Sequence, residues 1–115
     1  MLLMNDKKKY RANNISESCR WDTEISSLAE QNSPLLIKMA KSYAPTLFST
    51  LYKLQPNLVR SELIFCIYLK LNFTTREISK FLNVTPKAIQ NRKNRLRKKL
   101  NIPSETDIYM WFDNI

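Results

Sequence analysis

An all-α protein is predicted by three features of this 115-residue chain. Apolar residues recur at spacings of three and four, helix-opening pairs such as Thr85-Pro86 precede those runs, and no apolar segment finds a partner strand. Helix ends can also be placed, although the chain contains no glycine: Asn follows Leu at Leu71-Asn72, Leu82-Asn83 and Leu100-Asn101. Each pair lies where a helix closes on a left-handed residue, usually Gly and sometimes Asn. Positive φ is therefore predicted at these three asparagines, and at Asn83 in particular.

Residues 1–20 are polar and lack sustained periodicity, so they are read as a disordered tail, made basic by Lys7-Lys8-Lys9 and Arg11. Residues 21–56 form an N-terminal helical extension. Trp21, Ile25 and Leu28 follow i, i+4, i+7, a short helix opened by Asp22. Ser33-Pro34 restarts the chain as N-cap and first helical residue. Leu36, Ala40, Tyr43, Leu47, Leu51 and Leu54 then make one stripe running through Pro45, either a kinked helix or two helices in near alignment.

Gln55-Pro56-Asn57 is a break and the predicted domain boundary. The run from Leu58 to Leu71 is apolar almost throughout and is read as a buried helix. Thr74-Thr75-Arg76-Glu77 has the capping-box form, with Ile78, Phe81 and Leu82 as the inner face of the helix it opens. Asn83-Val84 makes a tight turn, Thr85-Pro86 opens a helix running to Leu100, and Ser104 to Asp107 opens a last one carrying Ile108, Trp111, Phe112 and Ile115.

Charge is concentrated rather than spread. Residues 70–100 hold ten of the 19 Lys and Arg against Glu77 alone, while the other residues carry nine basic and nine acidic groups. The net charge of +9 thus lies in one window, whose field would attract a phosphate backbone. The absence of His and Gly excludes imidazole catalysis, imidazole metal ligands and glycine-rich phosphate loops, so no enzyme, cofactor or metal is expected. Cys19 and Cys66 form no metal-binding spacing, and Cys66 reads as a buried thiol. The longest apolar run, Leu63 to Leu69, is too short to span a bilayer, and the amino end lacks a signal-peptide core. A cytoplasmic protein without a membrane partner is expected.

A short helix, a tight turn and a second helix rich in cations make a helix-turn-helix pattern. On a wheel of the second helix, Ile89, Leu96 and Leu100 share a narrow core stripe, with Lys87, Asn91, Asn94 and Lys98 opposite and Gln90, Arg95, Arg97 and Lys99 flanking. Amides suit base edges and cations suit phosphates. Lys87, Gln90, Asn91 and Asn94 are therefore nominated as base readers. Thr75, Arg76, Lys93, Arg95, Lys98 and Lys99 are nominated as phosphate contacts. Arg92 and Lys93 lie near the core stripe, where either can instead lay its stem over apolar surface.

Four segments, Leu58-Val-Arg-Ser-Glu-Leu63, Phe73-Thr-Thr-Arg-Glu-Ile-Ser79, Val84-Thr-Pro-Lys-Ala-Ile89 and Arg95-Leu-Arg-Lys-Lys-Leu100, resemble the LuxR/GerE-type DNA-binding domain. The likeness is closest to the variety at the carboxyl end of Bacteroidetes regulators and covers residues 57–115. It implies a tetrahelical helix-turn-helix domain, major-groove binding, base contacts at Gln90, Asn91 and Asn94, and dimerisation through the last helix, with Ile108, Trp111, Phe112 and Ile115 as candidates. This chain departs from the family in having Val59 where Thr is usual and Asn72 where Gly is common. No receiver or ligand-sensing domain fits residues 1–56, so the usual input side is expected to be missing or to belong to another chain, such as a separate sensor.

The function expected is that of a sequence-specific regulator of transcription, a homodimer inserting the 86–100 helix into the major groove of double-stranded DNA. The alternative is a protein-interaction adaptor of RNA polymerase resembling a detached sigma-factor region 4. RNA binding lacks the interleaved exposed aromatics that base stacking uses.

Overall fold

The computed structural model describes residues 24–115. Trp21, Asp22, Cys19 and the basic tail lie outside the described residues. Seven helices follow in order: α1 (Ser26–Glu30), α2 (Leu36–Tyr43), α3 (Pro45–Leu54), α4 (Arg60–Lys70), α5 (Thr75–Leu82), α6 (Pro86–Lys99) and α7 (Ile108–Asp113). Among the described residues there is no strand, and no helix is long and apolar enough to cross a membrane.

The helix α4 organises the rest. Leu63, Phe65, Cys66, Ile67, Tyr68 and Leu69 are all buried, which leaves this helix almost no solvent face and accounts for its continuous apolar run. It packs against α2 on one side and α7 on another, while α5 packs on α6 and α2 on α3. A single apolar cluster runs from Ile25 and Ala29 through Leu36, Leu51 and Tyr68 to Ile89 and Phe112. The Tyr68 hydroxyl donates to the Ala29 carbonyl at 3.0 Å, a buried bond from α4 to α1. The break at Gln55-Pro56-Asn57 therefore separates helices that share one core.

Pro45 divides the long stripe into two helices. Ala44 takes φ −139° and ψ 63°, outside the α region that a following proline disfavours, and Pro45 opens α3. Leu36, Ala40, Leu47 and Leu51 are buried and Tyr43 partly so, but Leu54, read as the stripe's last member, is exposed at the end of α3. The start of α2 also differs from expectation. Ser33 Oγ accepts the Leu35 N–H, but the Ser33 carbonyl accepts from Leu36 N–H, a tight i→i+3 turn, so α2 begins at Leu36.

Caps explain the later boundaries. Thr74 Oγ1 accepts the Glu77 N–H at 3.1 Å and Glu77 Oε1 accepts the Thr74 N–H at 2.9 Å, a reciprocal capping box. Thr85 Oγ1 accepts the Ala88 N–H, with Pro86 following. Val59 has no side-chain acceptor, so α4 keeps half of the box: Glu62 Oε1 accepts the Val59 N–H at 3.0 Å. Of the segment Ser104 to Asp107, only Asp107 is the cap of α7, through Oδ1 and the Tyr109 N–H.

Asn72, Asn83 and Asn101 adopt φ of 66°, 57° and 58°. At each, the next residue's N–H reaches back across the helix end: Phe73 to Tyr68, Val84 to Ser79, Ile102 to Arg97. This is the Schellman pattern, and Phe73, Val84 and Ile102 then fold onto the core. Asn32, φ 50°, does the same at the end of α1, an asparagine not anticipated from the sequence.

Candidate nucleic-acid interface

The turn between α5 and α6 is short because Asn83 reverses the chain in one residue and Thr85 caps the next helix two residues later. The inner line of α6 consists of Ile89, Lys93 and Leu96, all buried, continued by Leu100. The opposite face is open. Lys87, Gln90, Asn91, Asn94, Arg95 and Lys98 are exposed, and none makes a side-chain hydrogen bond or ion pair to another described residue. At 1.5 Å per residue, Lys87 and Asn94 lie roughly 10 Å apart along the axis, about three base-pair steps.

The basic window divides by environment. Lys70 Nζ donates to the Phe112 carbonyl at 2.8 Å and fastens α4 to α7. Arg97 Nη1 donates to the carbonyls of Pro103 (3.1 Å) and Thr106 (2.8 Å), bracing the loop before α7. Lys99 pairs with Glu62 at 2.8 Å and donates to the Asn57 carbonyl. Lys93 donates to Thr75 Oγ1 at 2.6 Å, its ammonium 4.7 Å from the centre of the Tyr109 ring. These four cations hold elements together. Arg76, Lys80, Lys87, Arg95 and Lys98 project from the surface, and Arg92 lies half-buried in a cleft with Ser61, Glu62, Phe65 and Leu96.

Several nominations change accordingly. Lys93 is 8% exposed and directed inward, not toward a phosphate, because its position on the helix lies beside Ile89 and Leu96. Thr75 is engaged by Lys93, and Lys99 by Glu62. Arg97 leaves the exposed flank for the Pro103–Thr106 loop. Arg76, Arg95 and Lys98 keep the exposure that a phosphate contact requires. On α7, Ile108 and Phe112 are buried in the chain's own core and present no dimer surface. Trp111 and Ile115 are partly exposed, and Met110, at 61% exposed, is the apolar residue of α7 that the sequence reading missed. Its place is legible only after α7 is oriented by Ile108 and Phe112.

Titration follows burial and partners. Burial pushes the Glu62 carboxyl up, but the Lys99 hydrogen bond, the Val59 N–H and the Lys99 charge outweigh it and hold the group below its ordinary value. Burial lowers Lys93, opposed by the charge of Asp107 and reinforced by that of Arg97. Burial and the Asp107 charge push the Tyr109 hydroxyl up to about 12. Burial likewise pushes the Cys66 thiol up. Among the described residues, no group of three or more His, Cys, Asp or Glu is placed to hold a metal ion.

No protein-family model matches the chain, and no curated protein or solved structure does so either.

Proposed function

We propose that the chain is a regulator of transcription that binds double-stranded DNA sequence-specifically, with α5 and α6 as a helix-turn-helix and α6 in the major groove. One observation carries this reading. The outer face of α6 offers three amides and three cations with no intramolecular partner among the described residues, on a helix whose inner face is locked by Ile89, Leu96 and Leu100. Asparagine and glutamine offer a paired donor and acceptor to adenine, while Lys and Arg neutralise phosphates. The likeness of residues 57–115 to LuxR/GerE-type domains supports the same placement. Action as a cytoplasmic homodimer through Met110, Trp111 and Ile115 belongs to this proposal.

Selection of bound sites from random duplex DNA tests it. Gln90→Ala or Asn94→Ala relaxes preference at one base position at a cost of about 1–3 kcal/mol, whereas Lys98→Ala weakens all sequences alike and reduces the salt slope by about one. Duplex affinity indifferent to salt would refute the proposal.

The polymerase-adaptor reading draws on a different surface. Arg60 Nη2 donates to the Pro34 carbonyl at 3.2 Å, which brings the neighbouring exposed residues Val59 and Leu35 into the same region. An adaptor would bind DNA weakly alone and gain specificity with RNA polymerase present, and Leu35→Ser would abolish that gain while leaving the weak binding by the isolated chain unchanged.

A further inference from the structure

The inward course of Lys93 calls for a physical reason. Ile89 and Leu96, its neighbours on the inner line of α6, are apolar, and a Met or Leu at residue 93 would avoid desolvating an ammonium. The charge is nevertheless held at the meeting point of three helices. Thr75, the first residue of α5, accepts a hydrogen bond from it, and Tyr109 of α7 presents its ring to it. The Tyr109 hydroxyl in turn donates to the Phe73 carbonyl at 2.7 Å, immediately before the α5 cap. The ammonium therefore ties the reading helix to both the start of α5 and the last helix.

We propose that Lys93 is a positioning residue for base readout, fixing the rotation of α6 about its axis through Thr75 and Tyr109 and so aiming Gln90 and Asn94. The inference rests on the DNA-binding reading above. Gln90 lies one turn before Lys93 and Asn94 directly follows it, so no flexible segment separates anchor from readers. On a helix of roughly 5–6 Å radius including side chains, a 20° rotation displaces a side-chain end by about 2 Å. Hydrogen bonds to bases tolerate about 0.5 Å, so loss of the anchor degrades discrimination before it degrades attraction. The two helices that pack face to face, α5 and α6, retain their apolar contacts without it, whereas α6 is joined toward α7 by this polar junction and by the Arg97 bonds to the Pro103 and Thr106 carbonyls.

The test compares the full-length chain with Lys93→Met, which keeps the stem, and Thr75→Val, which keeps the shape and removes the accepting hydroxyl. Each variant is titrated with the selected duplex and with a scrambled one across a salt series. Each is expected to reduce the ratio of selected to scrambled affinity by about tenfold. The double variant should lose no more than either single, since both cut one junction. Scrambled-duplex affinity and its salt slope stay unchanged, and Lys93→Arg, which can also donate to Thr75 and stack on Tyr109, restores the ratio. A salt slope lowered by about one in Lys93→Met, with Thr75→Val silent, identifies Lys93 as a phosphate contact and overturns the proposal. An unchanged ratio in both variants overturns it as well. If Lys93→Met does not fold, Thr75→Val decides alone, by the same ratio. A wild-type chain that selects no duplex site refutes the DNA reading itself, and this proposal with it; a wild-type chain that selects a site insensitive to both variants refutes only the positioning role.

Discussion

Replacing Asn83 by Ala isolates the contribution of backbone handedness to the turn between α5 and α6. Asn83 sits at φ 57° and ψ 47°, and its exposed side chain makes no hydrogen bond to another described residue. Any loss on substitution therefore reports the backbone conformation and not a missing contact. A residue bearing Cβ pays about 1–2 kcal/mol in the left-handed region, a penalty that Asn partly escapes. Asn83→Ala should consequently destabilise by about 1 kcal/mol, which lowers Tm by about 4–8 °C for a domain of this size. Asn83→Gly removes the Cβ penalty but raises the entropy of the unfolded chain, and the two effects nearly offset. Urea unfolding followed by far-ultraviolet circular dichroism, with m compared among the three proteins, gives the free energies. An Ala variant as stable as wild type, or a Gly variant as damaged as the Ala variant, would refute the argument. The former result would mean that the turn adopts another path, and the latter that the Asn side chain itself holds it.

Two further outcomes follow from the contacts between elements. Because Glu62 is held below its ordinary pKa, its pair with Lys99 stabilises the fold above about pH 4.3 and loses that effect as pH falls through the folded value. The gap in urea midpoint between wild type and Glu62→Gln should be present at pH 6 and close toward pH 3; a gap independent of pH contradicts the pairing. Tyr68→Phe deletes the buried bond to Ala29 and should cost about 1 kcal/mol. Amide exchange should quicken in both Ser26–Glu30 and α4, whereas quickening in Ser26–Glu30 alone would show that the extension opens independently of the core.

Features governed by chemistry within a few residues were legible without tertiary knowledge. Thr74 and Thr85 cap because hydroxyl and N–H lie three residues apart, and Asn72, Asn83 and Asn101 turn left-handed because a helix end without glycine favours them. The outward set of Lys87, Gln90, Asn91 and Asn94 followed from helical periodicity alone. Asn32 escaped notice because no Leu-Asn pair marks it.

The identity of the free cations was of a different kind. Lys70, Lys93 and Lys99 look like Arg95 and Lys98 in sequence, yet they meet Phe112, Thr75 and Glu62, partners 42, 18 and 37 residues away. A Lys side chain is long enough to serve either solvent or a distant carbonyl, and local pattern carries no information about which is in reach. Likewise Ile108 and Phe112 and the partly buried Trp111 belong to one amphipathic pattern, and only the packing of α7 on α4 separates core from surface. Helices, their ends and their faces thus arise from short-range chemistry; the division of the basic window into struts and open charges arises from long-range contact, because a charge is committed only when folding brings an acceptor to it.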